Sequence, residues 1–207
     1  FQRIVNSLVK MFSIGLTGGI GSGKTFIAEI LKANFDIKIF DSDYSAKEII
    51  QKNKSVKKSI ILNFGEKSYI DDQINNKFIS KIVFNNPDKL IKLNSIVHPL
   101  VFKDFEDFKF KYSEKIIIVE SALLFESGMY LSNNINILVT SPLEIKLQRL
   151  IVRDKRNEED VLKIINSQWE DSKKIKLADF VIENINKLET EKKVKKLMSD
   201  IISKYEE

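Results

Sequence analysis

Eight residues, 18–25, leave this chain little freedom of fold. They read Gly-Gly-Ile-Gly-Ser-Gly-Lys-Thr and satisfy every fixed position of G-x-x-x-x-G-K-[ST]. Each residue type has a chemical reason. Glycines accept positive φ and let backbone N–H groups approach phosphate oxygens closely. A helix starting directly after the loop aims its positive end at the same oxygens. Lys24 can reach the β- and γ-phosphates, and the Thr25 hydroxyl can ligate Mg²⁺. Five of the seven glycines lie between Gly15 and Gly23, so the chain concentrates its scarcest flexible residue here. The flanks agree. Residues 12–17 (FSIGLT) read as a buried strand, and Phe26, Ile27, Ile30 and Leu31 have helical spacing. The sequence therefore predicts nucleotide binding by Gly18, Gly19, Ile20, Gly21, Ser22, Gly23, Lys24, Thr25 and Phe26, with Thr25 the metal ligand.

A second short strand at 37–40 ends at Asp41-Ser42-Asp43, which completes a parallel βαβ unit. Residues 44–112 are Lys- and Asn-rich with helical periodicity, and Gly65, Pro87 and His98-Pro99 are expected to break it. Strands follow at 115–119 and 135–140. A helix follows from Pro142 to about 152, then a charged stretch at 153–160 and a helix through Trp169. A last strand is expected at 180–182 and a Lys-rich amphipathic helix at 187–205. The expected fold is a three-layer α/β doubly wound parallel sheet with a helical insertion and a lid. The expected divisions are a core at about 12–44, 113–142 and 176–207, an insertion at about 45–112 and a lid at about 143–175. Residues 1–10 read as an upstream extension, with Met11 the natural start.

Composition removes several functions. Without Cys there is no disulfide scaffold, Cys-ligated zinc or thiol catalysis, which suits a reducing compartment; a cytoplasmic location is expected. No apolar run approaches a membrane span. The net charge of +5 comes from Lys scattered among acidic residues and reads as a solvated surface. Asn53-Lys54, Asn76-Lys77 and Asn186-Lys187 lack the Asp of a guanine-reading [NT]-K-x-D, which sets GTPases aside. A helicase would be longer, and its hydrophobic run closing in acid has only residues 116–119 before Glu120 as a counterpart.

A small-molecule kinase fits better. Asp41 and Asp43 stand after the second strand, where ligands sit in doubly wound sheets. Helix capping by Ser42 or Asp43 is the plainer alternative. Against 30 Lys there are four Arg, and three of them are Arg149, Arg153 and Arg156. A guanidinium contacts phosphate bidentately as Lys cannot. Arg149 and Arg153 share a helix face by spacing, which suggests a mobile lid closing over the phosphates. Salt bridges to Glu144, Asp154 and Glu158 are the alternative. His98, the one His, reads as a packed or capping histidine with an acceptor-site role as the alternative. Trp169 reads as packing the lid-side helix on the core, with stacking on a ligand as the alternative. Alternatives to this function are another small P-loop kinase acting on a nucleotide or sugar acid, or a nucleic-acid-binding ATPase module.

Over residues 12 to 185 the chain resembles the dephospho-coenzyme A kinase family. The resemblance is carried in order by IGLTGGIGSGKT, Asp41-Ser42-Asp43 with Ala46, LNSIVHP at 93–99, SALLFESG at 121–128, QRLIVRD at 148–154, Gln168 and LADFVIEN at 177–184. It implies transfer of the ATP γ-phosphoryl group to the ribose 3′-hydroxyl of dephospho-CoA, with Mg²⁺. It implies Asp43 as base, and Lys24, Arg149 and Arg153 as stabilisers of the transferring group. His98 and Leu123, with Asp43, would contact the acceptor, and Asn184 would lie near adenine. ATP and dephospho-CoA are the implied partners, without nucleic acid or membrane, for a monomer or small homo-oligomer. The chain departs from the family at Phe26 (a second small hydroxyl residue is usual after the loop), at Ala122 (Pro is usual), at Ile185-Asn186 after Asn184 (Gly is usual) and at Lys163 (Arg is common).

Overall fold

The computed structural model describes residues 12–84, 86–113, 115–155 and 157–206. The extension at 1–10, Met11 and Arg156 lie outside the described residues. In chain order the elements are β1 (Phe12–Thr17), α1 (Lys24–Asn34), β2 (Ile37–Asp41), α2 (Ser42–Lys52), α3 (Lys54–Phe64), β3 (Tyr69–Ile70), β4 (Gln73–Ile74), α4 (Asn76–Phe84) and α5 (Pro87–Lys111). Then come β5 (Ile116–Glu120), β6 (Ile135–Thr140), α6 (Leu143–Asp154), α7 (Glu158–Asn166), α8 (Asp171–Ile175), β7 (Phe180–Glu183) and α9 (Lys187–Glu206). The chain divides into two compact units, Phe1–Phe40 with Lys109–Glu207, and Asp41–Phe108.

The first unit is built on a five-stranded sheet in the order β2-β5-β1-β6-β7. β1 runs parallel to β5 and β6, and β6 runs parallel to β7. The chain leaves β1 for one edge, returns to place β5 beside β1, and then crosses to β6 and β7. β1 is thus the switch point of a doubly wound sheet, and its C-terminal end is where such sheets receive ligands. Alternation along each strand decides the two faces. Ile14, Leu16, Ile118, Ile137, Val139 and Ile182 pack on Ile27, Ala28, Ile30 and Leu31 of α1 and on Val194, Met198 and Ile201 of α9. The α9 residues recur at helical spacing, which leaves Lys192, Lys193, Lys195 and Lys196 off that stripe.

The other face of β1 carries Ser13, Gly15 and Thr17. A polar lattice packs against it. Ser13 N–H donates to Asn134 Oδ1 at 2.9 Å, and Asn133 Nδ2 donates to Asn136 Oδ1 at 3.2 Å. Gly15 admits this lattice: a Cβ there would stand 2.4 Å from Asn136 Oδ1 and 2.6 Å from Leu124 Cδ2. Leu124 and Phe125 are both buried.

In the second unit Asp41 caps α2, accepting the Tyr44 N–H at 2.8 Å. The cap is therefore neither Ser42 nor Asp43. Asn53 ends α2 and caps α3, accepting from Ser55 and Val56. Two expectations fail here. Residues 69–74 form a small antiparallel hairpin rather than helix. Its Asp71 and Asp72 have φ of 47° and 67°, the doubly left-handed turn that two-residue hairpins favour. The strands are two residues long, too short for alternation to show. Pro99 does not break the helix, because α5 runs through it, whereas the break expected at Pro87 is present: α4 ends at Phe84 and Pro87 opens α5. Val97, Val101 and Phe105 are buried at i, i+4 and i+8, so packing along one face holds the helix together. Pro99 is exposed, where water can satisfy the carbonyl its missing N–H leaves unpaired. In the first unit the helix expected to reach Trp169 stops at Asn166.

Gly15→Ala is expected to lower the unfolding free energy by about 1–3 kcal/mol, the usual cost of overpacking. Urea denaturation measures it, and an unchanged midpoint contradicts the packing described for β1.

Candidate active site

Residues 18–25 turn from the end of β1 into α1. Gly23, the N-cap of α1, has φ 95°. Any Cβ there would meet Asn184 Nδ2 at 2.1 Å, so conformation and space both demand glycine. Lys24 Nζ donates to the Gly18 carbonyl at 2.9 Å. Thr25 Oγ1 donates to Glu120 Oε1, at the end of β5, at 3.1 Å. The Ile20 N–H donates to Gln168 Oε1 at 2.8 Å. The loop is thus joined by side chains from β5 and from the segment after α7.

Beneath the loop lies a polar cluster. Arg149 Nη1 donates to the carbonyls of Gly21 and Ser22, each at 3.2 Å, and to Ser141 Oγ at 3.0 Å. Its Nη2 donates to the Asn184 carbonyl at 3.0 Å. Asn184 Nδ2 donates to the Ser22 carbonyl at 2.8 Å, and Thr190 Oγ1 donates to Asn184 Oδ1 at 3.2 Å. Burial pulls the Arg149 guanidinium below its ordinary value. Arg153 is set differently. It is exposed in the last turn of α6 and makes a two-pronged pair with Asp154, whose carboxylate raises its pKa.

A cavity of about 440 Å³ opens beside Gly19 and Ile20, lined in part by Lys146, Gln168, Trp169 and Asp171. Lys146 is paired with Asp171 at 2.5 Å. Trp169 N–H donates to Glu126 Oε1 at 3.2 Å, and the same carboxylate oxygen pairs with the fully buried Lys174 at 2.9 Å. Lys173 stands 3.3 Å from the centre of the Trp169 ring. Trp169 therefore packs in the segment between α7 and α8 and also faces the cavity.

The structure brings Lys24, Thr25, Arg149 and Asn184 together around one loop. Arg153 lies on the same helix as Arg149, with its guanidinium on Asp154. The Phe26 ring packs against the α1–α9 core, with Lys187 5.6 Å from its centre, so its side chain adds nothing to a phosphate cradle. Leu123 sits in the turn after β5, its N–H on Ser121 Oγ at 3.3 Å. Asp43 and His98 belong to the second unit. Asp43 is exposed in the first turn of α2, and His98 is half-buried in α5. Three contributors were not singled out as site residues by sequence reasoning. Glu120 ends the apolar run of β5, a signal weighed there only against a helicase. Gln168 carries no signal beyond its match to the family pattern. Ser141 carries no signal beyond preceding Pro142.

A hydroxyl and a carboxylate at Thr25 and Glu120 are hard oxygen donors suited to Mg²⁺. Among the described residues no group of three or more His, Asp or Glu could hold a metal. An ion here would therefore rely on nucleotide oxygens and water, as Mg²⁺ in kinase sites does.

A family model, dephospho-CoA kinase, matches residues 12–190. The chain belongs to the dephospho-CoA kinase family. A dephospho-CoA kinase of Fusobacterium nucleatum is 45% identical over 177 residues, covering 85% of this chain and 91% of its own. Among solved structures, a dephospho-CoA kinase from Campylobacter jejuni superposes with a TM-score of 0.66 at 29% identity, covering 91% of this chain and 96% of its own. A Thermus thermophilus protein reaches 0.79 at 26%, covering 93% and 97%. The family match therefore spans the loop, Glu120, Arg149, Gln168 and Asn184 in a single stretch.

His98 yields a pH prediction. Burial holds its imidazole below the ordinary 6.5. As pH falls through 6.5 the unfolded chain takes up the proton first, so stability present above 6.5 is lost toward the lowered folded value. Unfolding free energy should fall more between pH 7.5 and 5.5 in the wild type than in His98→Asn. Equal slopes would contradict the buried neutral imidazole.

Proposed function

We propose that the protein transfers the γ-phosphoryl group of ATP to the ribose 3′-hydroxyl of dephospho-CoA, giving CoA and ADP. This is the last step of coenzyme A biosynthesis. One observation carries the reading. A complete phosphate loop, with Lys24 and the Thr25–Glu120 pair, stands at the switch point of a doubly wound sheet in a chain matched to the family over residues 12–190.

The chemistry follows from these side chains. Phosphoryl transfer needs little covalent help and much positioning and charge stabilisation. The backbone N–H groups of the loop and the N-terminus of α1 receive the phosphates. Lys24 exchanges the Gly18 carbonyl for the β- and γ-oxygens. Thr25 and Glu120 would hold Mg²⁺, which would supply charge neutralisation when bound with ATP. Asp43 orients the 3′-hydroxyl and accepts its proton, with His98 and Leu123 as acceptor contacts. Arg153, exposed and paired with its neighbour Asp154, can turn from that carboxylate to the transferring group as α6–α8 act as a lid. Both substrates are small soluble molecules, which suits a cytoplasmic enzyme, monomeric or a small homo-oligomer, with no nucleic-acid or membrane partner.

Purified protein with MgATP should release ADP in a coupled assay when dephospho-CoA is added, and little without it. Turnover no higher than the acceptor-free background sinks the assignment. Asp43→Asn is expected to lower kcat by ~10²–10⁴ while the Kd for ATP stays within about threefold. A variant that keeps a third or more of the wild-type kcat rules out Asp43 as the base.

A further inference from the structure

We infer that Arg149 is a positioning residue that fixes the peptide between Ser22 and Gly23, and that it does not touch the transferring phosphoryl group. The Ser22 carbonyl accepts from Asn184 Nδ2 at 2.8 Å and from Arg149 Nη1 at 3.2 Å, while the Ser141 hydroxyl, 3.2 Å away, gives its one proton to the closer Asn184 carbonyl at 2.6 Å. Arg149 also reaches the Gly21 carbonyl, and with Ser141 Oγ it grips the Asn184 carbonyl at the end of β7. Thr190 holds Asn184 Oδ1, so the Asn184 amide group is turned toward the loop. Arg149, Ser141, Asn184 and Thr190 thus form one clamp.

The clamp has a directional consequence. In a trans peptide the C=O and the following N–H point to opposite sides. Holding the Ser22 oxygen against the clamp turns the Gly23 N–H away from it, toward the side on which a loop of this kind receives phosphate. Gly23 is also the N-cap of α1, so this N–H stands at the positive end of the helix. Among the described residues the acceptors of Arg149 are neutral oxygens, so its positive charge stands directly under the loop and adds to the potential felt by a bound anion.

Contact with a phosphoryl group would require Arg149 to abandon all of these acceptors. Ser22, Ser141 and Asn184 are buried, and taking a donor from such acceptors is costly. Arg153, exposed and paired with the adjacent carboxylate of Asp154, has no such tie among the described residues. The two arginines of α6 therefore divide the work, one setting the loop and the other available to the phosphoryl group. This deepens the proposed kinase reading and rests on it only in taking ADP and ATP as ligands.

The test is calorimetric titration of MgADP and MgATP, which needs no acceptor, alongside kcat at saturating ATP. Arg149→Lys keeps the charge and loses the bridging. It should weaken ADP and ATP by the same factor, roughly tenfold or more, with kcat within about threefold of wild type. Asn184→Ala should do likewise, and the double variant should fall well short of the product of the two losses, because both act through one peptide. Ser141→Ala, a milder change, should move both affinities in the same direction. Circular dichroism confirms that each variant is folded. In amide NMR the downfield shift of the Gly23 proton on ADP addition should shrink in Arg149→Lys. Unchanged ADP affinity with a lowered kcat would make Arg149 a phosphoryl contact and overturn the inference. Multiplicative losses in the double variant would overturn the single clamp. Loss of dephospho-CoA turnover as an activity would leave the ADP measurements standing.

Discussion

Room for backbone and for nothing else governs this molecule. Between β1 and α1 the chain passes against the Val139 carbonyl and the Asn184 side chain, at distances that no Cβ could occupy at Gly18 or Gly23. Glycine there lets the loop lie close to its neighbours, and that closeness lets them hydrogen-bond its carbonyls. Side chains that tether the carbonyls from below leave N–H groups to face a ligand.

The sheet supplies what the loop cannot supply alone. Parallel strands end at one edge, so β1, β5, β6 and β7 deliver the loop, Glu120, Ser141 and Asn184 to one place from four distant parts of the sequence. α6 follows directly and brings Arg149 beneath the loop and Arg153 toward solvent. After α7, Gln168 returns to the Ile20 N–H. The loop is thus held from both sides by groups that meet nowhere in sequence.

Local chemistry made part of this legible. The bounds of β1 and β6 follow from short apolar runs closed by Gly18-Gly19 and by Ser141-Pro142, and the structure has them as read. The loop was legible because its glycines are few and clustered. Pro99 was misread because a proline's local penalty is visible in sequence, whereas the burial of Val97, Val101 and Phe105 that outweighs it is not. The hairpin at 69–74 was missed because two-residue strands have no period and its turn is Asp-Asp rather than Asn-Gly. In the site, residue type announced Arg149 and Arg153 as phosphate partners, but type cannot tell a guanidinium bound to carbonyls from one held by a neighbouring carboxylate. Glu120 was seen but lacked its partner, since the Thr25–Glu120 contact joins residues 95 apart.

The central claim is the regiochemistry of transfer. ³¹P NMR of the product formed from MgATP and dephospho-CoA tests it most directly. The account predicts one new phosphomonoester signal, coupled to the ribose H3′ proton, growing in step with ADP. A phosphomonoester on any other hydroxyl, or ADP formed with no new phosphomonoester, would contradict it.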